Sequence, residues 1–265
     1  MIKKVAFMNG KGGCGKSTSV YHVSGVLAKK KEKVLVVDFD KQGNSTKYLL
    51  LNNEEEIEKT MYDVLEGTAT LDEIVKKTYF VDWGHRKPDY YGVDVLPADI
   101  RFKSEALVGE LGANIKEEFD DFIERNGYTW VLVDMPASNK ALEGICYSQI
   151  INAIICPFSS DLFSIDGYGD LLDSINYARQ SNSEIKVLGL YLSRYDKQCG
   201  VDRYIKSQLE NFDLFIDIQI PMLSDLREAI MFGRPMSFYK RNSKSKMAYE
   251  KLVEEMERKM KRERH

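Results

Sequence analysis

The sequence predicts an α/β protein with a mostly parallel, twisted sheet that is flanked by helices on both faces. Short runs of β-branched and other apolar residues recur along the whole chain, and stretches with one apolar face at helical spacing lie between them. Most of these runs are continuously apolar, which is typical of strands buried on both faces of a parallel sheet. Strands and helices that alternate in this way are joined by right-handed crossovers.

The individual elements follow from these patterns. Seven apolar runs predict strands at Lys4–Asn9, Lys33–Phe39, Val93–Leu96, Trp130–Asp134, Ala153–Pro157, Val187–Leu192 and Phe215–Pro221. A helix is predicted after the first strand, and its apolar face consists of Val20, Val23, Val26 and Leu27. A last helix is predicted after Asn242, with an apolar stripe expected to pack on the body of the protein: Tyr249, Leu252, Val253 and Met256.

One stretch, Tyr79–Tyr91 (YFVDWGHRKPDYY), fits neither pattern because it is aromatic, charged and rich in turn residues. It is either an interaction loop or an ordinary surface excursion, and the second interpretation is favoured.

The composition predicts a single domain over residues 1–265. Hydrophobic residues make up 43% and charged residues 30% of the chain, and no repeat or linker divides it. The net charge of −3 argues against a wholly basic nucleic-acid-binding protein. Residues 240–265 nevertheless carry ten basic and five acidic side chains, a local charge of +5, so the other 239 residues carry −8. We expect a basic, charged C-terminal tail from about residue 258.

The cysteines and histidines indicate a reduced, cytoplasmic protein. Cys14, Cys146, Cys156 and Cys199 form no C-x-x-C pair, and the N-terminus does not resemble a secretion signal. The three histidines are too widely spaced to suggest a histidine metal site. No apolar run approaches the roughly 18–20 residues that span a bilayer.

The strongest functional motif is Gly10–Ser17 (GKGGCGKS), which matches the phosphate-binding pattern G-x-x-x-x-G-K-[ST] between a predicted strand and a predicted helix. Glycines allow backbone N–H groups to surround phosphate oxygens, and the N-terminus of the following helix attracts the anion. Lys16 would place its charge between the β and γ phosphates, and the Ser17 hydroxyl would bind Mg²⁺.

Three carboxylates are expected beside this loop. Asp134 ends the apolar strand Trp130–Asp134, and Asp38 and Asp40 end the second strand. Ligands of open parallel sheets bind at the carboxyl ends of the strands, so the three side chains should converge there. Asp134 suits a Mg²⁺-supporting Walker B aspartate.

Several segments together resemble the ParA/MinD family of P-loop ATPases with a deviant Walker A motif. KGGCGKST matches the deviant motif K-G-G-x-x-K-[ST], in which Lys11 is the distinguishing residue. VVDFDKQGNST resembles the family's D-x-D-P-Q-G-N segment, LVDMPAS its D-x-P-P strand end, and IPMLSDLREAIMFGRPMSFY its C-terminal region. The resemblance extends from Met1 to about Glu255. Lys41 and Ala137 replace two prolines of the family pattern, and neither replacement removes a reacting group.

The resemblance implies a single P-loop ATPase domain that binds ATP and Mg²⁺ and forms a homodimer when ATP is bound. Lys11 would reach the phosphates of the partner's ATP, Lys16 would bind the phosphates, and Asp40 would orient the attacking water. Ser17, Asp38 and Asp134 would support Mg²⁺, and Thr18 would contact the α-phosphate. Adenine would lie against the segments Ser193–Asp196 and Pro221–Leu223. The complete nucleotide-binding set is Gly12, Gly13, Cys14, Gly15, Lys16, Ser17, Thr18, Ser193, Pro221 and Met222.

The function implied by the resemblance is that of a short ParA, a nucleoid-associated cytoplasmic ATPase of DNA partition. Its ATP-bound dimer would bind DNA without sequence preference, and a ParB-like centromere-binding partner would stimulate hydrolysis and release. Met222 and Leu223 stand where relatives have DNA-contacting arginines. Candidate substitutes are Arg194, Lys197, Arg203, Arg227, Arg234, Lys240 and Arg241.

Three alternatives remain open. A MinD-like membrane-positioning ATPase would need an amphipathic C-terminal helix, and Arg258–His265 (RKMKRERH) fits this poorly, so no stable membrane association is expected. A carrier of an iron–sulfur cluster would need paired cysteines. A nucleotide-gated switch without hydrolysis is disfavoured by the presence of Lys11, Lys16, Asp40 and Asp134.

Overall fold

A computed structural model describes residues 2–101, 105–137, 149–159 and 182–261, together with residues 169, 172–173, 175–176 and 178–180; for residues 105–114 it describes the backbone alone. The strands in these residues are β1 (Lys3–Phe7), β2 (Val34–Asp38), β3 (Lys76–Phe80), β4 (Asp89–Leu96), β5 (Trp130–Asp134), β6 (Ala153–Phe158), β7 (Lys186–Tyr195) and β8 (Phe215–Pro221). The helices are α1 (Lys16–Lys29), α2 (Asn44–Leu49), α3 (Met61–Leu65), α4 (Leu71–Ile74), α5 (Glu105–Arg125), α6 (Gly200–Leu209), α7 (Ser224–Met231), α8 (Met236–Tyr239) and α9 (Lys244–Lys261).

The eight strands form one sheet in the order β3-β4-β2-β5-β1-β6-β7-β8. Every neighbouring pair is parallel except β3 and β4. The predicted α/β class, the parallel sheet and all seven predicted strands are therefore confirmed. The central strands β2 and β5 are buried along their whole length, as their continuously apolar sequences predict.

Two apolar cores cover the two faces of the sheet. One contains α1, α8 and α9, and the other contains α5. The predicted stripe of the last helix, Tyr249, Leu252, Val253 and Met256, is buried in the first core. Helix α9 continues through Lys261, beyond the start of the predicted tail at about residue 258, and residues 262–265 lie outside the described chain. No described helix is long and apolar enough to cross a membrane.

The stretch Tyr79–Tyr91 is not one irregular excursion, because parts of it are strand. Its first two residues end β3, its last three begin β4, and the two strands form an antiparallel hairpin around residues 81–88. In β3 only Thr78 and Phe80 are buried. A short edge strand of mixed polar and aromatic residues lacks the continuous apolar run by which the other strands were recognised.

Candidate functional site

The phosphate loop connects β1 to α1, as the motif predicts. Gly13 and Gly15 adopt positive φ angles of 78° and 91°, a conformation that glycine adopts without steric cost. Helix α1 begins at Lys16 with no side-chain cap and no acidic residue in its first turn. The N–H groups of its first turn are therefore available to an anion, and the helix dipole favours one.

The Lys16 side chain lies inside the loop. Its ammonium donates hydrogen bonds to the backbone carbonyls of Asn9 at 3.2 Å and Lys11 at 3.1 Å, and the residue is only 6% exposed. The Asn9 side chain accepts a bond from the Lys11 N–H at 2.9 Å and donates to the Pro157 carbonyl at 2.8 Å. Asn9 thus ties the loop to β6, a role that sequence reasoning missed because Asn9 precedes the motif.

Asp38 and Asp134 lie side by side at the carboxyl ends of β2 and β5, where their Cα positions are paired. Both are fully buried. Asp38 accepts hydrogen bonds from the N–H and hydroxyl of Thr46, both at 2.8 Å, and from the Asp40 N–H at 3.0 Å. Asp38 therefore holds Asp40 and the start of α2 in place. Thr46 is a further residue that sequence reasoning did not identify.

The two oxygens of the Asp134 carboxylate differ in their hydrogen bonding. Its Oδ2 accepts a bond from the Ser45 hydroxyl at 2.7 Å, whereas Oδ1 is buried without a hydrogen-bond partner among the described residues. Burial raises the pKa of Asp134 to about 6, and the nearby Ser17 and Ser45 hydroxyls act against that rise. Burial, and then the charge of Asp134, raise the pKa of Asp38.

The free Asp134 oxygen and the Ser17 hydroxyl fit a Mg²⁺ ion, because Mg²⁺ prefers oxygen donors and is commonly held by one or two protein ligands with phosphate and water. Among the described residues, no group of three or more His, Cys, Asp or Glu side chains could hold a metal ion.

A cavity of about 670 Å³ opens beside the loop. Its lining includes most of the predicted site: Gly12, Gly13, Gly15, Lys16, Ser17, Thr18, Asp40, Ser193, Pro221 and Met222. Apolar side chains also line it, among them Leu226, Ile230 and Tyr249, which sequence reasoning did not assign to the site. The glycine loop and apolar side chains that suit a flat organic group therefore border the same cavity.

Cys14 does not line the cavity. It is buried beneath the loop, where its thiol donates to the Lys11 carbonyl at 3.4 Å, and burial raises its pKa. The Ser193 hydroxyl donates to the Cys14 carbonyl from β7. Cys14 and Cys156 are buried free cysteines, Cys199 is half-buried, and Cys146 lies outside the described residues.

The predicted basic residues belong to three parts of the fold. Arg194 and Arg227 line the cavity, and the Arg194 guanidinium donates to the Gly13 carbonyl at 2.9 Å. Arg203, on α6, donates to the carbonyls of Lys197 and Gln198, both at 2.9 Å. The remaining three, Arg234, Lys240 and Arg241, lie between α7 and α9.

A phosphate loop on a parallel sheet, with acidic strand ends beside it, defines a P-loop nucleotide-binding protein. The family model of the AAA domain matches residues 2–187, so the chain belongs to this family of P-loop ATPases. The chain is 29% identical to the chromosome partitioning protein ParA of Caulobacter vibrioides over 96% of its own length and 94% of the relative's. The resemblance to ParA-type proteins is confirmed.

Solved structures agree on the fold. A putative plasmid partition protein of Borrelia burgdorferi bound to AMPPNP superposes with a TM-score of 0.77 at 20% identity, covering 98% of this chain and all of that one. The septum site-determining protein MinD of Pyrococcus horikoshii, complexed with Mg-ADP, superposes with a TM-score of 0.74 at 23% identity and covers 98% of both chains.

Proposed function

We infer that this protein is a ParA-type ATPase of DNA partition, which binds MgATP in the described cavity and hydrolyses it. One observation carries the inference: the glycine loop around Lys16, the Asp40 carboxylate and an apolar recess all border the same cavity. The partition relatives and the nucleotide complexes of similar structures support it.

The loop N–H groups and Lys16 would bind the phosphates and stabilise the charge that develops on them during transfer. Mg²⁺, held by Ser17 and Asp134, would supply further positive charge to the phosphate oxygens. Ser193, Pro221 and Met222 border the same cavity and would contact the base.

Asp40 would orient the attacking water. Its backbone N–H is fixed by Asp38, and its own carboxylate accepts a bond from the Gln42 N–H at 2.9 Å, while the side chain borders the cavity. A carboxylate in a fixed turn can hold a water in line with the phosphate without needing to leave its own position.

Pairing of two subunits would complete the site. Lys11 lies in the same loop, and its backbone is held by Asn9 and Lys16. In a dimer it would add a second lysine to the partner's phosphates, which couples hydrolysis to assembly. The paired protein would bind DNA through phosphate contacts, and a ParB-like protein would stimulate hydrolysis and release.

Retention of duplex DNA tests this function. We expect the purified protein to bind a random-sequence duplex with a non-hydrolysed ATP analogue, weakly with ADP, and less as salt rises from 50 to 200 mM. Retention that is indifferent to both nucleotide and salt would contradict the proposal. Release of phosphate from ATP, lost on removal of Mg²⁺, tests the hydrolytic step separately.

The MinD-like alternative is less well supported by the C-terminal helix. The apolar stripe of α9 packs into the protein core, and its last described turn contains Arg258, Lys259 and Lys261. Sedimentation with anionic vesicles and ATP distinguishes the two functions, since strong pelleting would favour the membrane ATPase.

A further inference from the structure

We propose that the hairpin loop between β3 and β4 and the segment leading into α9 form one surface that binds the phosphate backbone of duplex DNA. This surface, called the Trp83 surface below, consists of Trp83, Arg86, Lys87, Arg234, Lys240 and Arg241. The inference rests on the proposed function and specifies where that function's DNA would bind.

Two contacts join the loop to the C-terminal segment. The Arg241 guanidinium lies over the Trp83 ring, 4.4 Å from its centroid, and Arg234 donates to the His85 carbonyl at 3.4 Å. Trp83 is 50% exposed, which is unusual for the residue with the largest apolar side chain. A guanidinium stacked on an indole is oriented in advance, and its edge N–H groups remain able to bind a phosphate in a bidentate manner.

The Trp83 surface carries positive charge in an otherwise acidic protein. Residues 83–88 contain no carboxylate, and neither do residues 233–249, which carry five lysines or arginines. The whole chain nevertheless has a net charge of −3. Because the mean charge is negative, a local region of this kind indicates a polyanionic partner.

Four carboxylates lie near the Trp83 surface in the chain or the fold, and each has a described hydrogen-bond or ion-pair partner. Asp82 pairs with Lys29 at 2.6 Å, and Glu228 accepts a bond from the Tyr239 hydroxyl at 2.8 Å. Asp225 is buried and accepts bonds from Ser243 and Ser245, at 2.8 and 3.0 Å. Asp89, the first residue of β4, accepts a bond from the Tyr90 N–H at 2.8 Å. None of these acids forms a described ion pair with Arg86, Lys87 or Arg241.

Duplex DNA fits this surface better than a membrane does. Membrane binding needs an apolar face that enters the lipid, whereas the Trp83 surface contains a single aromatic side chain, and the ring of that side chain is stacked against Arg241. The DNA backbone carries one charge per roughly 1.7 Å of helix axis, so a row of cations is sufficient to bind it without reading its sequence.

The test compares two charge-matched double variants in the full-length protein. Arg86→Gln with Lys87→Gln removes two cations from the Trp83 surface. Lys116→Gln with Arg125→Gln removes two cations from α5, which packs on the opposite face of the sheet. Binding of a fluorescent 30-base-pair duplex is titrated with a non-hydrolysed ATP analogue at several salt concentrations.

We expect the first double variant to bind about eightfold more weakly per lost phosphate contact at 0.1 M salt, with the log–log salt slope reduced by about 0.9 per contact. The α5 variant should retain wild-type affinity and slope. Trp83→Ala should weaken binding because Arg241 loses its support. Unchanged ATP turnover and thermal unfolding in each variant would show that the fold is intact.

The outcomes separate this inference from the function on which it rests. Wild-type protein that binds no DNA in any nucleotide state would contradict the proposed function, and the inference with it. Wild-type binding that both double variants retain equally would overturn the inference alone. Pelleting of the wild type with phosphatidylglycerol vesicles, lost in the Arg86→Gln, Lys87→Gln variant, would assign the surface to a membrane instead.

Discussion

Asp40 and Arg194 border the same cavity but have different tasks. Asp40 is held by backbone contacts on both sides, so its removal leaves the phosphate loop untouched. We expect Asp40→Ala to bind ATP with nearly unchanged affinity and to lose turnover by about 10²–10⁴-fold, the range for a positioned acid–base group. Equilibrium binding and phosphate release measure the two effects, and full turnover in this variant would contradict the water-orienting role.

Arg194 was predicted as a DNA contact, yet its guanidinium bonds to the phosphate loop at Gly13. Its φ of 54° is in the left-handed region, where a non-glycine residue is uncommon. We expect Arg194→Gln to weaken ATP binding by about 1 kcal/mol, or roughly fivefold, because a hydrogen bond and a nearby cation are lost. Arg203→Gln is the control, since Arg203 also donates to backbone carbonyls but outside the cavity. Equal losses of ATP affinity in the two variants, measured by calorimetric titration, would refute the assignment of Arg194 to the ATP site.

Among the secondary-structure elements, α1 connects the phosphate loop to the C-terminal helices. Gly25 in α1 faces the ring of Pro235, and a Cβ atom at this position would lie 2.2 Å from the proline Cβ. The proline ring is held by its own backbone and cannot turn away. Close approach at this point therefore requires glycine, although glycine in a helix costs about 1 kcal/mol relative to alanine.

We expect Gly25→Ala to lower the free energy of unfolding by about 1–3 kcal/mol, because overpacking outweighs the gain in helix propensity. Gly200→Ala provides the comparison, since the nearest atom to a Cβ there is the end of the Arg203 side chain at 3.8 Å. Urea unfolding curves measure both changes. A Gly25→Ala protein as stable as the wild type would show that α1 and Pro235 separate easily.

A buried hydrogen bond of His22 also links α1 to the start of α8. Its Nδ1 accepts a bond from the Met236 N–H at 3.1 Å, and complete burial lowers the pKa of His22 to about 3. The unfolded chain, with an ordinary histidine pKa of 6.5, takes up the proton first as the pH falls. The contribution of His22 to stability is therefore fully present above pH 6.5 and is lost progressively toward pH 3.

The expected loss from this histidine is about 2 kcal/mol between pH 7 and pH 5. The raised pKa values of Asp38 and Asp134 act in the opposite direction, since their contribution is present at low pH and is lost as the pH rises. The test therefore compares the pH dependence of the unfolding free energy in the wild type and in His22→Asn. The asparagine amide oxygen can still accept a hydrogen bond from the Met236 N–H. Parallel pH profiles of unfolding free energy for the two proteins would rule out the titration of His22.

For the intact protein, the central prediction concerns Lys11 and dimer formation. We expect Lys11→Ala to bind ATP but to fail to dimerise with a non-hydrolysed analogue, because Lys16 remains in its own loop while the second lysine at the interface is missing. Light scattering measures the mass with and without nucleotide, and exposed Lys59→Ala is the control. Normal dimerisation of Lys11→Ala would exclude the shared-site mechanism.

The net charge of the chain has little predictive value for DNA binding. A total of −3 coexists with the carboxylate-free Trp83 surface, and some of the ten cations of residues 240–265 are paired with acids of the same segment, as Arg258 is with Glu255. Binding depends on the local arrangement of cations, because at physiological salt exposed charges more than about 8 Å apart are largely screened from one another.

The sequence by itself determined the α/β class, seven of the strands and the phosphate loop. These features are local: a buried parallel strand is a continuous apolar run, and the phosphate-loop motif is eight adjacent residues, Gly10–Ser17. Asp38 and Asp134 were also predictable as neighbours, since parallel strands place their carboxyl ends at one edge of the sheet.

Only the tertiary structure decided which arginines lie at the cavity and which lie with Trp83. Arg194 contacts Gly13 across 181 positions of sequence, and Arg241 meets Trp83 only because the β3–β4 hairpin lies beside the segment before α9. The edge strand β3 and the buried partners Asn9 and Thr46 were missed for the same reason. Their roles depend on strand order and on the packing of distant segments, and no spacing along the chain encodes either.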